Sequence, residues 1–206
     1  ESLIEIKGNI YTDEYAIFSL IEKKPIEISE EYSNYLLKTL DNSMLFESVV
    51  VSIKNNKYII SIIEFPNINE IKFKLNERFE DDELTNISKQ LNLKNLNPLS
   101  INNFKEEIKN IYESFGYNNV NIVHYATIDD NTNTADLFFE ISEGSITKIK
   151  NIYFFGNKSL DSQNLKSIIK SKTKSLTNIL ANNSYKKVNV LNDTRTVSYT
   201  HLRAHE

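Results

Sequence analysis

The chain has 206 residues, 40% of them apolar, and its 24 Lys and Arg against 28 Asp and Glu leave a net charge of −4. The absence of cysteine excludes disulfides, thiolate catalysis and Cys-ligated zinc. The three arginines, Arg78, Arg195 and Arg203, form no basic stripe for nucleic acid or an anionic membrane surface, and no stretch reaches the roughly 18 apolar residues of a spanning helix.

A short strand pattern closed by a turn residue occurs three times: Ile4-Glu5-Ile6-Lys7-Gly8-Asn9, Ile71-Lys72-Phe73-Lys74-Leu75-Asn76 and Ile152-Tyr153-Phe154-Phe155-Gly156-Asn157. The closing asparagines are 67 and 81 residues apart. An interval of that size implies an array of small similar modules and not one large core.

The first module opens with a strand over residues 3–7, and Gly8-Asn9 turns the chain. Thr12 is the expected cap of a first helix carrying Ala16, Ile17, Leu20 and Ile21. Ser29 is the expected cap of a second, with Tyr32, Tyr35, Leu36, Thr39 and Leu40 at helical spacing. A β-branched run over 45–53, a hairpin turn at Asn55-Asn56 and a strand over 58–63 complete a β-α-α-β-β order, with Glu64-Phe65-Pro66 as the exit.

The second module repeats this order. Its strand covers 71–75, and a helix starts near Asp81-Asp82 with Leu84, Ile87 and Leu91 on one side. After Pro98, Ser100 is the expected cap of a second helix, with Leu99 stapled onto Phe104. Phe104, Ile108, Ile111 and Phe115 form its apolar stripe. Strands over 120–127 and 135–141 follow, joined by a polar turn, with Glu143-Gly144 as the exit. The third module begins with a strand over 149–155 and a helix around 160–170, after which neither a second helix nor a closing hairpin is legible. Residues 197–206 match nothing earlier and resemble a translated sequencing-adaptor scar, so that the natural chain is expected to continue past about Thr196. The chain starts at Glu1, as expected of an internal piece or of a chain whose leader has been removed.

Candidate chemistry is sparse. His124 lies in a strand with no ligand-type residue at metal spacing beside it, and His201 and His205 lie in the suspected scar. Asp81-Asp82-Glu83 favours a helix start and Asp129-Asp130 a turn. No cleft, phosphate-cradling glycine loop or nucleophile elbow is signalled. The expectation is a non-enzyme without cofactor or metal, a small hydrolase being the remote alternative.

The repeated order, the strand-ending Gly8-Asn9 and Gly156-Asn157, Leu45-Phe46 followed by Val49 and Val51, Gly116-Tyr117 followed by Val120, and the two exits together resemble the POTRA family. Leu75 departs from the family's usual glycine. The resemblance covers residues 1–196. It implies an α+β fold of tandem POTRA modules, each a three-stranded mixed sheet with two helices on one face and the last strand central. The expected spans are a first module over 1–66, a second over 67–145, an incomplete third over 146–196 and a non-native tail over 197–206. Two modules and the start of a third are similar to the periplasmic region of Omp85-superfamily assembly factors, BamA among them. A TamA-type protein or a two-partner secretion transporter is the related alternative, and two clear copies argue against a division-type protein with a single module. The resemblance further implies a place at the periplasmic face of a Gram-negative outer membrane and a C-terminal barrel in that membrane. As partners it implies unfolded β-barrel precursors and assembly-complex lipoproteins.

With the last strand central, each preceding strand is an edge. Edge strands expose main-chain donors and acceptors to which an extended client can add as a further strand. The candidate edges are Val49, Val50, Val51, Ser52, Ile53 and Lys54 in the first module and Asn121, Ile122, Val123, His124 and Tyr125 in the second. Val49, Val51 and Ile53 are expected to face the helices, with Val50, Ser52 and Lys54 outward. Lys54 also has a bland reading, as a charge that blocks aggregation. The sheet face carrying Ile59 and Ile63 is a second candidate docking patch.

Overall fold

A computed structural model describes residues 3–157, 160–174 and 182–203. Residues 158–159 and 175–181 of the expected third module, and 204–206 of the expected tail, lie outside them. The elements are β1 (Ile4–Lys7), α1 (Glu14–Ser19), α2 (Glu30–Asp41), β2 (Phe46–Lys54), β3 (Lys57–Glu64), β4 (Asn67–Lys74), α3 (Asp81–Gln90), α4 (Pro98–Phe115), β5 (Asn121–Asp129), β6 (Thr134–Ser142), α5 (Ser162–Ile168) and α6 (Lys187–Arg203). They build an α+β fold with two three-stranded sheets, ordered β1-β3-β2 and β4-β6-β5. Packing divides the chain into two compact units. One holds Glu1–Lys72, Asn86–Asn102 and Tyr125–Phe138, the other Phe73–Thr85, Asn103–His124 and Phe139–Glu206.

The first sheet is mixed. β1 runs parallel to β3, with Ile4 opposite Tyr58 and Ile6 opposite Ile60. β2 runs antiparallel to β3, with Val49 opposite Ile62, Val51 opposite Ile60 and Lys54 opposite Lys57. Both residues of the Asn55-Asn56 turn have positive φ, 50° and 60°, as a two-residue hairpin requires. One core forms under this sheet from Ile4, Ile6, Phe46, Tyr58, Ile60 and Ile62, covered by Ile17 of α1 and Leu36 and Leu40 of α2. Each fully buried aliphatic side chain contributes about 1.5–3 kcal/mol. The buried Tyr58 keeps its hydroxyl satisfied: it accepts from the Ser29 N–H at 2.8 Å and donates to the Glu27 carbonyl at 3.1 Å.

In the second compact unit, Phe73 stacks on Phe139 with ring centroids 5.8 Å apart, and Phe104 meets Phe139 at 4.9 Å. The stripe on α4 differs from the expected one. Tyr112 takes the inward position, while Ile111 is only half-buried and Phe115 exposed. Tyr112 tolerates full burial because its hydroxyl donates to Glu143 Oε1 at 2.7 Å. On α3, Leu84 is buried as expected, but Leu91 lies past the last turn and is exposed.

Of the three expected caps, one forms and two are replaced by a neighbour. Ser29 caps α2 as expected, accepting from the Tyr32 N–H. Asp13, not Thr12, caps α1, its carboxylate accepting from the Tyr15 N–H, while the Thr12 hydroxyl is engaged with Glu64. Asn97, not Ser100, caps α4, with Pro98 in the first helical position where its missing N–H is harmless. Leu99 stays half-exposed and forms no buried staple.

The third repeat departs further. Residues 151–155 form no strand. In the first repeat β1 is hydrogen-bonded only to the central strand, and among the described residues no strand follows β6. Phe155 is accordingly 92% exposed, and an apolar cavity of about 730 Å³ lies beside the segment, lined by Ile152, Phe154, Ile169, Val190 and Val197. A second helix does form: α6 runs from Lys187 through the first seven residues of the suspected tail. Its Val, Thr and Asn content is poor in helix propensity, which hid it in the sequence.

The three closing asparagines perform one job. Asn9 Nδ2 donates to the Thr12 carbonyl at 3.1 Å, Asn76 Nδ2 to the Phe79 carbonyl at 3.0 Å, and Asn157 Nδ2 to the Leu160 carbonyl at 2.8 Å. The residue before each has positive φ: 89° at Gly8, 64° at Leu75 and 78° at Gly156. At Gly8 a Cβ would lie 2.2 Å from the Ile62 carbonyl oxygen, so only glycine fits. Leu75 adopts the left-handed region at a steric cost of about 1–2 kcal/mol, and its side chain is 65% exposed, so its burial returns little.

The loop after each of the first two asparagines is held by a buried carboxylate at the exit of the central strand. Glu64 accepts from the Tyr11 N–H at 2.8 Å and the Thr12 N–H at 2.9 Å. Glu143 accepts from the N–H groups of Glu77 and Arg78, each at 2.7 Å. Burial pushes the Glu64 carboxyl up, but the Thr12 hydroxyl and the backbone N–H groups of Tyr11, Thr12 and Ile10 outweigh it. The result lies below the ordinary carboxylate pKa.

Replacing Leu75 with glycine is expected to stabilise the protein by about 1 kcal/mol, read as a higher urea midpoint. A lowered folded pKa means that the Glu64 contribution is complete above the unfolded value of about 4.3 and is lost as pH falls through the folded one. Glu64→Gln is therefore expected to destabilise by about 1–3 kcal/mol at neutral pH and to show a shallower loss of stability below about pH 4, measured by urea titrations across that range.

Candidate peptide-binding edges

The fold gives each sheet two edges, and they are unequal. β1 is only four residues long. The first residues of β4 are covered by the chain ahead of α4: the Ile68 N–H donates to the Lys94 carbonyl at 2.8 Å and the Leu96 N–H to the Pro66 carbonyl at 3.0 Å. β2 and β5, nine residues each, are the long open edges.

Hairpin geometry fixes which groups β2 presents. In a two-residue hairpin the flanking pair, Lys54 and Lys57, exchanges hydrogen bonds, and bonded pairs then alternate along the strands. Lys54, Ser52 and Val50 thus point their backbone groups at β3. Ile53, Val51 and Val49 point theirs away from the sheet. The side chains of Val49 and Val51 pack on the core. Val50 is 56% exposed and Lys54 is open, as expected, whereas Ser52 is half-buried and Ile53, near the hairpin tip, is exposed and does not reach the helices. A register irregularity between Phe46 and Ser48 bends the start of this edge, and Glu47 and Lys54 place charges near its two ends. Both features limit indiscriminate pairing.

Along β5 only Ile122 is buried; Asn121, Val123, His124 and Tyr125 are exposed. The His124 ring lies 6.1 Å from Phe139, and partial burial, then the Lys105 charge, lower its pKa. The two predicted residue sets lie on two different sheets, each contiguous along its own strand.

The opposite sheet faces carry further side chains. Ile63 is 58% exposed, while Ile59 is half-buried. Across β4, β6 and β5 a cluster was not anticipated. Tyr125 stacks on Phe138 at 4.9 Å and an interplanar angle of 7°, the Lys72 ammonium sits 5.3 Å over the Phe138 ring, and Lys72 also reaches Glu70 at 2.8 Å and Asp136 at 3.5 Å. These ion pairs are exposed and contribute little stability. Period-two alternation about the buried Phe139 and Phe73 was the available signal. The clamping role of Glu64 and Glu143 was likewise missed, although both had been placed at equivalent exits.

The family model described as POTRA, surface antigen variable number repeat, matches residues 66–144. That span is similar to a POTRA domain. Its order, from β4 to the Glu143-Gly144 exit, is the order found again from β1 to Glu64. Among solved structures, the N-terminal domain of Omp85 from the thermophilic cyanobacterium Thermosynechococcus elongatus is similar at a TM-score of 0.50 and 12% identity, over 96% of this chain and 83% of that one. At that identity the likeness establishes the fold. POTRA3-5 of Haemophilus influenzae BamA matches at a TM-score of 0.48 and 14% identity, covering 96% of this chain and 84% of that one. No curated protein matches the sequence.

Proposed function

We propose that this chain is part of the periplasmic scaffold of an outer-membrane assembly factor. Its modules occupy 1–66, 67–145 and, incompletely, 146–196. They take up extended segments of unfolded β-barrel precursors by strand addition at β2 and β5. Assembly-complex lipoproteins are its further partners, and a barrel in the same polypeptide ties it to the membrane. Its work is binding and not bond chemistry.

The observation that carries this reading is the sheet order, which leaves the two longest unprotected strands at edges. At β2, Val49, Val51 and Ile53 offer outward N–H and C=O groups in one row. Main-chain pairing tolerates many client sequences, and at about 1 kcal/mol net per hydrogen bond the capture stays weak and reversible. The carboxylate clamps support the reading by fixing the loops at the far side of each sheet, so that an added strand meets a rigid template.

Val51→Pro tests it. The Val51 N–H points away from β3, so proline is tolerated by the sheet while it removes one outward donor and blocks close approach. Photo-crosslinking of an unfolded outer-membrane protein to β2 is expected to fall by about tenfold or more, with the thermal midpoint shifted by only a few degrees. Undiminished crosslinking in the folded variant rejects strand addition at this edge.

A further inference from the structure

The chain entering each later repeat makes the same hydrogen bonds twice. At the first junction the Leu96 N–H donates to the Pro66 carbonyl at 3.0 Å and the Ile68 N–H to the Lys94 carbonyl at 2.8 Å, around an antiparallel bridge between Asn67 and Asn95. At the second the Tyr185 N–H donates to the Thr147 carbonyl and the Ile149 N–H to the Asn183 carbonyl, both at 2.7 Å, around a bridge between Lys148 and Ser184. The linker positions 66, 67 and 68 map onto 147, 148 and 149 at the same 81-residue offset that separates Asn76 from Asn157.

Each small ladder ties the linker to the chain just ahead of the second helix, α4 or α6. At each junction that chain is fastened to the helix-to-strand turn of the preceding repeat by an asparagine amide. Asn97 Nδ2 donates to the Met44 carbonyl at 2.5 Å, and Asn118 Nδ2 to the Tyr185 carbonyl at 3.0 Å. The donor comes from the later repeat in one case and from the earlier in the other. The Thr147 N–H adds a bond to the Gly116 carbonyl at 2.9 Å. At the first junction the tip of the β5–β6 hairpin also reaches back: Tyr11 donates its hydroxyl to the Thr132 carbonyl, and Asn133 Nδ2 donates to the Glu64 carbonyl at 3.4 Å.

We propose that the turn after the second helix of each repeat, Met44 in one and Gly116–Asn118 in the next, is the docking surface for the following repeat, and that Asn97 and Asn118 are its fasteners. The partner is the chain ahead of the next repeat's second helix, presented by its ladder with the linker. Asn97 carries the stronger case. It is buried, and its two side-chain atoms serve different ends: Oδ1 caps α4 through the Leu99 N–H at 2.8 Å, while Nδ2 crosses to the other repeat. The Met44 carbonyl sits in a turn whose φ is 58°, a conformation disfavoured for that side chain, so the turn gains from an external bond. The inference concerns joints within the chain and stands whether or not β2 and β5 take clients.

Asn97→Asp separates the two roles, because aspartate keeps the cap acceptor and loses the donor. Amide hydrogen exchange on the intact chain is the readout. Exchange at Ile68 and Leu96 is expected to quicken by about tenfold or more, with Ile108 and Tyr112 unchanged. Asn97→Ser, whose short hydroxyl keeps the cap acceptor but lacks the amide that extends to the Met44 carbonyl, is expected to do the same and guards against an effect of the new charge. Unchanged exchange at Ile68 and Leu96 in both variants overturns the proposal. So does an equal rise along all of α4, which would report only a weakened cap. Client crosslinking at β2 does not enter this test, so the two proposals fail separately.

Discussion

A carboxylate buried at the end of a central strand is the constraint on which both sheets depend. A parallel first strand must be left by a crossover, and here the crossover begins within two or three residues of the sheet. The loop N–H groups are thereby brought over the end of the central strand, within reach of its last carboxylate. Glu64 and Glu143 accept them. A charged acceptor roughly doubles the strength of such bonds, and leaving the donors unpaired would cost about 1–3 kcal/mol each. The closing asparagine works on the same loop from the other side, bonding the carbonyl three residues on. Together they hold the first strand against the central one with only four residue pairs in the first sheet.

That arrangement decides where the edges fall. Once the central strand is locked between its neighbours, the strand before it can only be outermost, and its alternate backbone groups face away from the sheet. β1 shows the converse dependence through its counterpart in the third repeat. The segment 151–155 keeps its asparagine bond at 157 and its neighbouring helix α5, yet it is no strand. Local turn chemistry survives there without the ladder, so the hydrogen-bonded partner and not the local sequence makes the strand.

Much of this was legible because it is written in period and punctuation. The period-two runs, the Gly8-Asn9 and Asn55-Asn56 turns, Ser29 as a cap and the Leu36–Leu40 spacing each pointed to the element that forms. What was not legible depended on contacts distant in sequence. Thr12 looks like a cap until its hydroxyl and N–H are both engaged by a residue 52 positions later. Tyr112 looks less suited to burial than Ile111 until Glu143 is seen to accept its proton donor. Ser100 and Asn97 are both good caps, and the choice falls to Asn97 because only its amide also reaches Met44. For the edges, sequence located both strands, but the outward row on β2 follows only from the bonded register at Lys54 and Lys57. Ile53 was misjudged because alternation assigns a face without saying how far the helices extend over it.

On the proposed reading, the repetition of modules has an energetic reason. A strand added to one edge gains a handful of bonds at about 1 kcal/mol each, against about 4–15 kcal/mol for immobilising a separate chain. One edge is therefore a weak binder, and each edge is also a hazard that the register irregularity before Ser48 and the charge of Lys54 keep in check. Strengthening a single edge would raise the risk of aggregation with the affinity. A second edge on the same chain adds affinity through effective concentration and leaves each edge individually weak. That gain is lost when the connection allows the two sites to wander. A short linker tied back by the ladder at Asn67, the junction that lies between β2 and β5, limits such wandering, and in this way the hydrogen bonds at that joint serve the binding at the edges.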